Sequence, residues 1–394
     1  MIVAKESKSM KSKKRWSRRR KVLVSVGIGV GAVALLGAGA FIAAQTWIHA
    51  GFSPLDPDSA EEGEWYSVQP DGAIDALGNP YHANIRVGSE NKVMVVFGGG
   101  GVSVDDYTEA RPVTSLFDDG FYTVLDGFDQ LAKDGLAEDV DGNPFRDWTV
   151  IQLPYSTGDF HAGAGANEIE GLDGEPEVVH HNGRTNLELV LNADAVKEVL
   201  GSPSELLVVG GSAGGFGAAI NTGVIMEHLP DTTNVTTMVD SSLLLYDWHS
   251  VSENVWLSPQ DVTEALHTDN FTLDALTALK SEHPEVKILF ASSIRDESLA
   301  RMQSYLNGGP FDVTAEDGIA YEQDLTVMVE KLQAQVPGIG LYIFEGETDD
   351  TTGLTQHTIG SNTLDDLVGD TTPLEWVSRA VDGKVESFGV DLLE

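Results

Sequence analysis

The sequence predicts an α/β fold with a mostly parallel central sheet and helices on both faces. Three observations carry that prediction. Apolar runs of strand length alternate with helix-length segments along the chain, which implies parallel strands joined by crossovers. Residues 206–209 form a short apolar run that enters Gly210-Gly211-Ser212-Ala213-Gly214, and residues 216–228 then continue with no breaker until Pro230. Residues 92–97, KVMVVF, read as a buried strand and run straight into Gly98-Gly99-Gly100-Gly101.

The bulk numbers exclude several classes of chemistry. The chain has 394 residues, long enough for one large α/β domain, and 41% of them are hydrophobic. It has no cysteine, so disulfides, thiolate ligands and thiol catalysis are ruled out. The formal net charge is −38, placed unevenly. Residues 1–21 hold ten of the 24 Lys and Arg and one acid, Glu6, so the remainder carries 14 basic and 61 acidic residues, a net of −47. Such a body has no general field for nucleic acid, and it repels polyanions at long range. Scarce Lys with abundant Asp and Glu fits a protein that works in high salt. It fits an ordinary acidic exported protein equally well.

In chain order, residues 1–21 form a basic segment expected to stay cytoplasmic. Residues 22–48 are read as a transmembrane anchor or a signal segment. Within them, 22–44 is a run of 23 residues without a charge, and Trp47 stands just beyond it, where an interfacial aromatic belongs. About 20 apolar residues span a bilayer, against about 7–15 in a signal core, so length favours an uncleaved anchor. Ala38-Gly39-Ala40 and Ile42-Ala43-Ala44 are the candidate cleavage sites for the other reading. In both cases the positive-inside rule puts the body outside the membrane, anchored or secreted. Residues 49–64, rich in Pro, Gly, Ser and acids, read as linker. The globular domain is expected to cover 65–394.

Within that domain, 148–153 reads as the strand after the glycine run, and 118–147 as surface loop and helix. Asp139-Val140-Asp141-Gly142-Asn143 hints at a calcium loop, but the twelfth position is Val150 instead of Glu, so no metal site is assigned. Residues 185–200 are read as a helix, 236–239 and 286–292 as strands, 321–335 as an amphipathic helix, and 340–344 as the last strand. The stretch between the 236–239 and 286–292 strands is read as a lid-like insertion. Its Trp248 and Trp256 are candidates for stacking on sugar, with packing as the plainer alternative.

The chemistry follows from the strand, Gly-flanked Ser and helix around Ser212. That context is a nucleophile elbow: the turn is so tight that its flanks must be Gly or Ala, and the Ser hydroxyl stands at the sheet's carboxyl edge. A Ser hydroxyl needs a base to take its proton and a carboxylate to orient that base. In α/β-hydrolases the three follow in the order Ser, acid, His, each on a loop after a strand. Asp296 follows the 286–292 strand and His357 follows the 340–344 strand. His82, His161, His180 and His181 precede the elbow, His228 and His283 sit in or beside helices, and His249 and His267 fall in the insertion. Asp240, after the strand that follows the elbow helix, is the alternative acid. Asp349 and Asp350 read as solvated loop acids. Gly100 and Gly101 with Ala213 are the expected oxyanion-hole amides. Tyr155, Asp159 and His161, just beyond the 148–153 strand, are the expected substrate wall.

Taken together, these residues resemble the pectin acetylesterase family, which includes the Notum-type carboxylesterases. The likeness rests on Phe97 with the glycine run, on Tyr155, Gly158-Asp159 and His161 to Gly163, on GGSAGG at 210–215, and on Phe290-Ala291-Ser292-Ser293 with Asp296-Glu297. It runs from about Asn84 to about His357. It implies an α/β-hydrolase-like fold, no cofactor, and hydrolysis of carboxylic esters by Ser212, Asp296 and His357. The expected partner is a small-molecule or carbohydrate ester. Plant and animal members have Trp and Cys soon after the glycine run, whereas this chain continues Gly101-Val102-Ser103. The acyl pocket, and with it the substrate, is therefore left open. A lipid or protein deacylase or a peptidase on the same residues is the second reading, and an inactive surface-binding member of the fold is the third.

Overall fold

The computed structural model describes residues 52–115, 119–124, 135–359 and 367–394. The basic segment 1–21, the anchor or signal reading of 22–48, and parts of the 118–147 stretch lie outside them. Among the described residues, no helix is long and apolar enough to cross a membrane.

The strands, in chain order, are β1 (Ser53–Pro54), β2 (Trp65–Val68), β3 (Ala83–Arg86), β4 (Lys92–Phe97), β5 (Pro112–Val113), β6 (Tyr122–Thr123), β7 (Thr149–Leu153), β8 (Gly165–Glu170), β9 (Pro176–His181), β10 (Glu205–Gly211), β11 (Asn234–Asp240), β12 (Lys287–Ser293) and β13 (Gly340–Phe344). Among the described residues, nine of them form one sheet in the order β1-β2-β3-β7-β4-β10-β11-β12-β13. Only β3 runs against the others: it pairs antiparallel with both β2 and β7, and the remaining pairings are parallel.

Both faces of the sheet are covered, which is why its central strands read as unbroken apolar runs. In β4, Val93, Val95 and Phe97 join one core, while Met94 and Val96 face the other. In β10, Leu206 and Val208 alternate in the same way with Leu207 and Val209. The larger core takes in residues of the helices Gly183–Asn192, Ala213–His228, Phe271–Glu282 and Ala315–Gln335, and the smaller takes in Pro373–Val381.

The expected strands β4, β10 and β13 and the elbow helix form where the sequence puts them. Three readings change. Part of the 49–64 linker enters the sheet, because β1 pairs with β2 and Phe52 stacks on Trp65 with ring centroids 5.8 Å apart. The single helix expected over 185–200 breaks at Ala193, which has extended backbone at φ −61°, ψ 130°. Leu191 and Val196 lie five residues apart, out of phase for one helix. The break restarts the turn so that both are buried. The lid-like insertion is core: Trp248, Val262, Leu266 and Phe271 all belong to the larger hydrophobic cluster.

The chain steps from β4 to β7 on one side, then crosses to β10 on β4's other side and proceeds to β13. The β4–β10 boundary is thus a switch point of the sheet, where a crevice opens at the strands' carboxyl ends.

Candidate active site

A cavity of about 700 Å³ occupies that crevice, lined by Gly98 to Val102 after β4, Ser212 after β10, Asp240 at the end of β11, and His357 after β13. Ser212 has φ 57°, ψ −131°, a conformation that side-chain-bearing residues rarely hold. Its flanks show why glycine is needed there. A Cβ on Gly210 would lie 2.0 Å from Gly214 O, and one on Gly214 would lie 2.1 Å from Phe97 O. The elbow therefore fits only against a β4 that ends in this position.

Asp296 caps the helix Glu297–Leu306, its Oδ1 accepting from Leu299 N at 3.0 Å. His357 Nδ1 lies 2.8 Å from both carboxylate oxygens of Asp296. Asp296 is fully buried, whereas His357 keeps 24% of its side chain exposed. With Nδ1–H donating to the carboxylate, Nε2 is left as the proton acceptor. Burial opposes a charge on His357, but Asp296's charge and hydrogen bond, with Asp240 adding, hold its pKa above the usual imidazole value. Ser212 and His357 line the same cavity; no hydrogen bond joins their side chains. Such contacts are often loose without substrate and tighten only in its complex.

The loop carrying His357 is tied to the sheet edge along its length. Thr355 N donates to Arg295 O, and Glu297 N donates to Thr355 O. Ser293 Oγ donates to Gln356 O at 2.7 Å. Beyond the imidazole, Thr358 N donates to Ser241 Oγ at 3.2 Å and Ile359 N to Asp240 Oδ2 at 2.8 Å. Asp240 is thus occupied by the backbone and by Ser241, and Asp296 is the carboxylate bonded to His357. Burial pushes the Asp240 carboxyl up to about 7, against the pull of the Ile359 amide, His357 and Ser241.

The glycine run lies against the elbow: a Cβ on Gly99 would fall 3.0 Å from Ser212 Cβ. No hydrogen bond among the described residues engages the amides of Gly99, Gly100, Gly101 or Ala213. Gly101, at φ 86°, could not bear a side chain, since its Cβ would sit 2.0 Å from Phe121 O.

The expected substrate wall is corrected in part. The Tyr155 ring lines the cavity, and its hydroxyl accepts from Phe160 N at 3.0 Å. Asp159 and His161 do not line it. Asp159 is fully buried, and its oxygens accept from Thr157 Oγ1 and from the amides of His161, Gly163 and Gly183. His161 is buried against Phe97 and Tyr155, with Nε2 2.9 Å from Gly98 O, and burial lowers its pKa. Its neutral ring holds the start of the glycine run from behind. Trp248 and Trp256 are likewise fully buried among Phe160, Phe216 and Phe271 and present no face to a sugar. Asp139 and Asp141 each lie 2.6 Å from the Arg146 guanidinium.

Sequence reading missed the cavity's aromatic rim. Phe121 and Phe311 line the cavity, and Tyr305 and Tyr107 extend the cluster outward, Phe121 lying 4.7 Å from both Tyr305 and Phe311 by ring centroid. Tyr107 is 52% and Phe311 42% exposed. No local pattern marks these residues, since Phe121 and Phe311 are far apart in the chain.

The family model for pectinacetylesterase matches residues 81–296, more than half of the chain. The chain belongs to the pectinacetylesterase family. Membership makes it an esterase or deacylase, a hydrolase of carboxylic esters. The family match takes in β4, the elbow and Asp296, and it ends before His357. Among solved structures, this pectinacetylesterase-family chain is similar to the Wnt deacylase Notum from Drosophila. The TM-score is 0.56 at 14% sequence identity, covering 82% of this chain and 95% of that one. That likeness shows the fold. No curated protein matches the chain by sequence.

Proposed function

We propose that the chain cleaves carboxylic esters by acyl-enzyme chemistry, with Ser212 as nucleophile, His357 as base and Asp296 as its orienting acid. The observation that carries this reading is the Asp296 carboxylate held on His357 Nδ1, on the same cavity as the strained Ser212. Ser212 Oγ attacks the ester carbonyl as its proton passes to His357 Nε2. Amides of Gly100, Gly101 and Ala213 hold the tetrahedral oxyanion, each such donor being worth about 2.7–4 kcal/mol. His357 then gives the proton to the departing alcohol. Water, activated by the same base, releases the acid and restores Ser212.

The substrate we favour is an acetylated carbohydrate or a small ester. The exposed Tyr107 and Phe311 beside the cavity supply apolar faces of the kind sugar rings stack on. A net of −47 on the body disfavours strongly polyanionic chains. Deacylation of lipidated protein is the second reading, favoured by a cavity of about 700 Å³, far roomier than an acetyl group needs. The basic 1–21 and the uncharged 22–44 support an anchor with the catalytic body outside the membrane, and cell fractionation before and after deleting residues 1–48 tests it.

An ester panel separates the substrate readings. Acetate release from acetylated xylan and turnover of short p-nitrophenyl esters, both abolished in Ser212→Ala, are expected. Turnover confined to long acyl chains would replace the acetylesterase reading with the deacylase one. No turnover of any ester by the folded protein would remove both.

A further inference from the structure

We propose that Asp240 is a positioning residue that couples the nucleophile elbow to the base loop and, when ionised, adds a second negative charge to the field at His357. The proposal rests on the Ser212–His357 reading above and deepens it. Asp240 ends β11, next to β10, and both of its ends are in use. Its backbone carbonyl accepts from Ser212 N at 2.9 Å. Its carboxylate accepts from Ile359 N at 2.8 Å and from Ser241 Oγ at 3.1 Å, and Ser241 Oγ in turn accepts from Thr358 N. One residue therefore fixes the nucleophile's backbone and the two residues that follow the base. Ser241, held at φ 48°, is strained in that role.

The same carboxylate is electrostatically coupled to His357. The groups that face it are His357 on the loop after β13, Asp296 on the loop after β12, and the Tyr321 hydroxyl from the helix Ala315–Gln335. When His357 takes the Ser212 proton, the imidazolium forms bonded to the Asp296 carboxylate and within the electrostatic reach of Asp240. No further reactant is needed, because the proton moves from Ser212 to His357 and on to the leaving alcohol. Asp240 lines the cavity, but its carboxylate is held by Ile359 N and Ser241 Oγ and lies off the path of the moving proton.

A charged positioning residue gives a pH signature that a purely structural one lacks. With Asp240 charged, His357 holds its proton more tightly, so the acid limb of kcat/KM lies higher in the wild type than in Asp240→Asn. The expected result for Asp240→Asn is an acid limb displaced to lower pH, with plateau kcat lower by about tenfold, the equivalent of one pKa unit of imidazolium stabilisation. Ser241→Ala removes the clamp on Thr358 and keeps the carboxylate, so it should lower kcat while moving the limb less than Asp240→Asn does. In the folded wild type, the His357 ring signal followed by NMR should titrate over more than one inflection, since the two groups are coupled. That measurement stands even if Asp240→Asn does not fold. An unmoved limb in Asp240→Asn, or a single His357 inflection in the wild type, would overturn the proposal. Loss of fluorophosphonate labelling separates the two failures: a wild type that never labels refutes the Ser212 reading itself, whereas a labelled enzyme with an unmoved limb refutes only the role of Asp240.

Discussion

The Asp296–His357 contact is where geometry and chemistry meet most closely, and replacing one atom probes it. In Asp296→Asn the side-chain shape is kept, but the group on Nδ1 no longer carries charge. The expected loss in kcat is about 10⁴-fold, from the wrong imidazole tautomer, measured with a short p-nitrophenyl ester. Since Asp296 also caps the helix Glu297–Leu306, a melting curve must accompany the assay, and Asn, itself a good cap, should leave stability nearly unchanged. Asp240 makes the opposite prediction for stability. Its carboxyl is raised in the folded protein from 3.8 to about 7. A raised folded pKa favours folding fully below the unfolded value, and that advantage is lost as pH rises through about 7. Asp240→Asn should therefore gain stability relative to wild type between pH 4 and pH 8, by about 4 kcal/mol at most. Denaturant melts at those two pH values measure it, and a constant difference would contradict the shift.

At the scale of elements, the glycine run and the elbow are two turns built against each other. Gly101→Ala would push a Cβ onto Phe121 O and displace the loop from Ser212. The expected cost is about 10²–10³ in kcat, the size of a lost oxyanion donor. Gly308→Ala is the control, because Gly308 also has positive φ, at 85°, but open space around its Cβ. It should cost about 1–2 kcal/mol of stability and no activity. These elements were legible in the sequence for a physical reason. β4 and β10 are buried on both faces, so they read as apolar runs, and the turns after them tolerate only glycine. The order Ser212, Asp296, His357 was legible because each follows such a strand. The Asp240 clamp was not, because it joins positions 119 residues apart through backbone amides that carry no side-chain signature. Asp159 and His161 misled for a related reason: polar residues at a strand's end suit a substrate wall and a buried turn equally, and only burial separates the two.

Across the whole molecule the dominant feature is charge. A net of −47 after residue 21 repels itself, and salt weakens that repulsion as the screening length falls from about 10 Å at 0.1 M to about 3 Å at 1 M. The melting temperature of the 52–394 body should rise with potassium chloride over that range, each kcal/mol gained moving it by about 2–4 °C. A flat or falling melting temperature would show that the acids are locally compensated. The two-faced sheet gives this charge a rigid frame, with the proposed catalytic residues drawn to the carboxyl edge of one switch point by four different strands. That convergence puts Ser212 at the centre of the proposed chemistry. Reaction of the intact protein with a fluorophosphonate, followed by peptide mapping, tests it most directly. One phosphonyl group per chain on the peptide containing Ser212, with none on Ser212→Ala, is the predicted result; label on another residue, or undiminished label on Ser212→Ala, would contradict it.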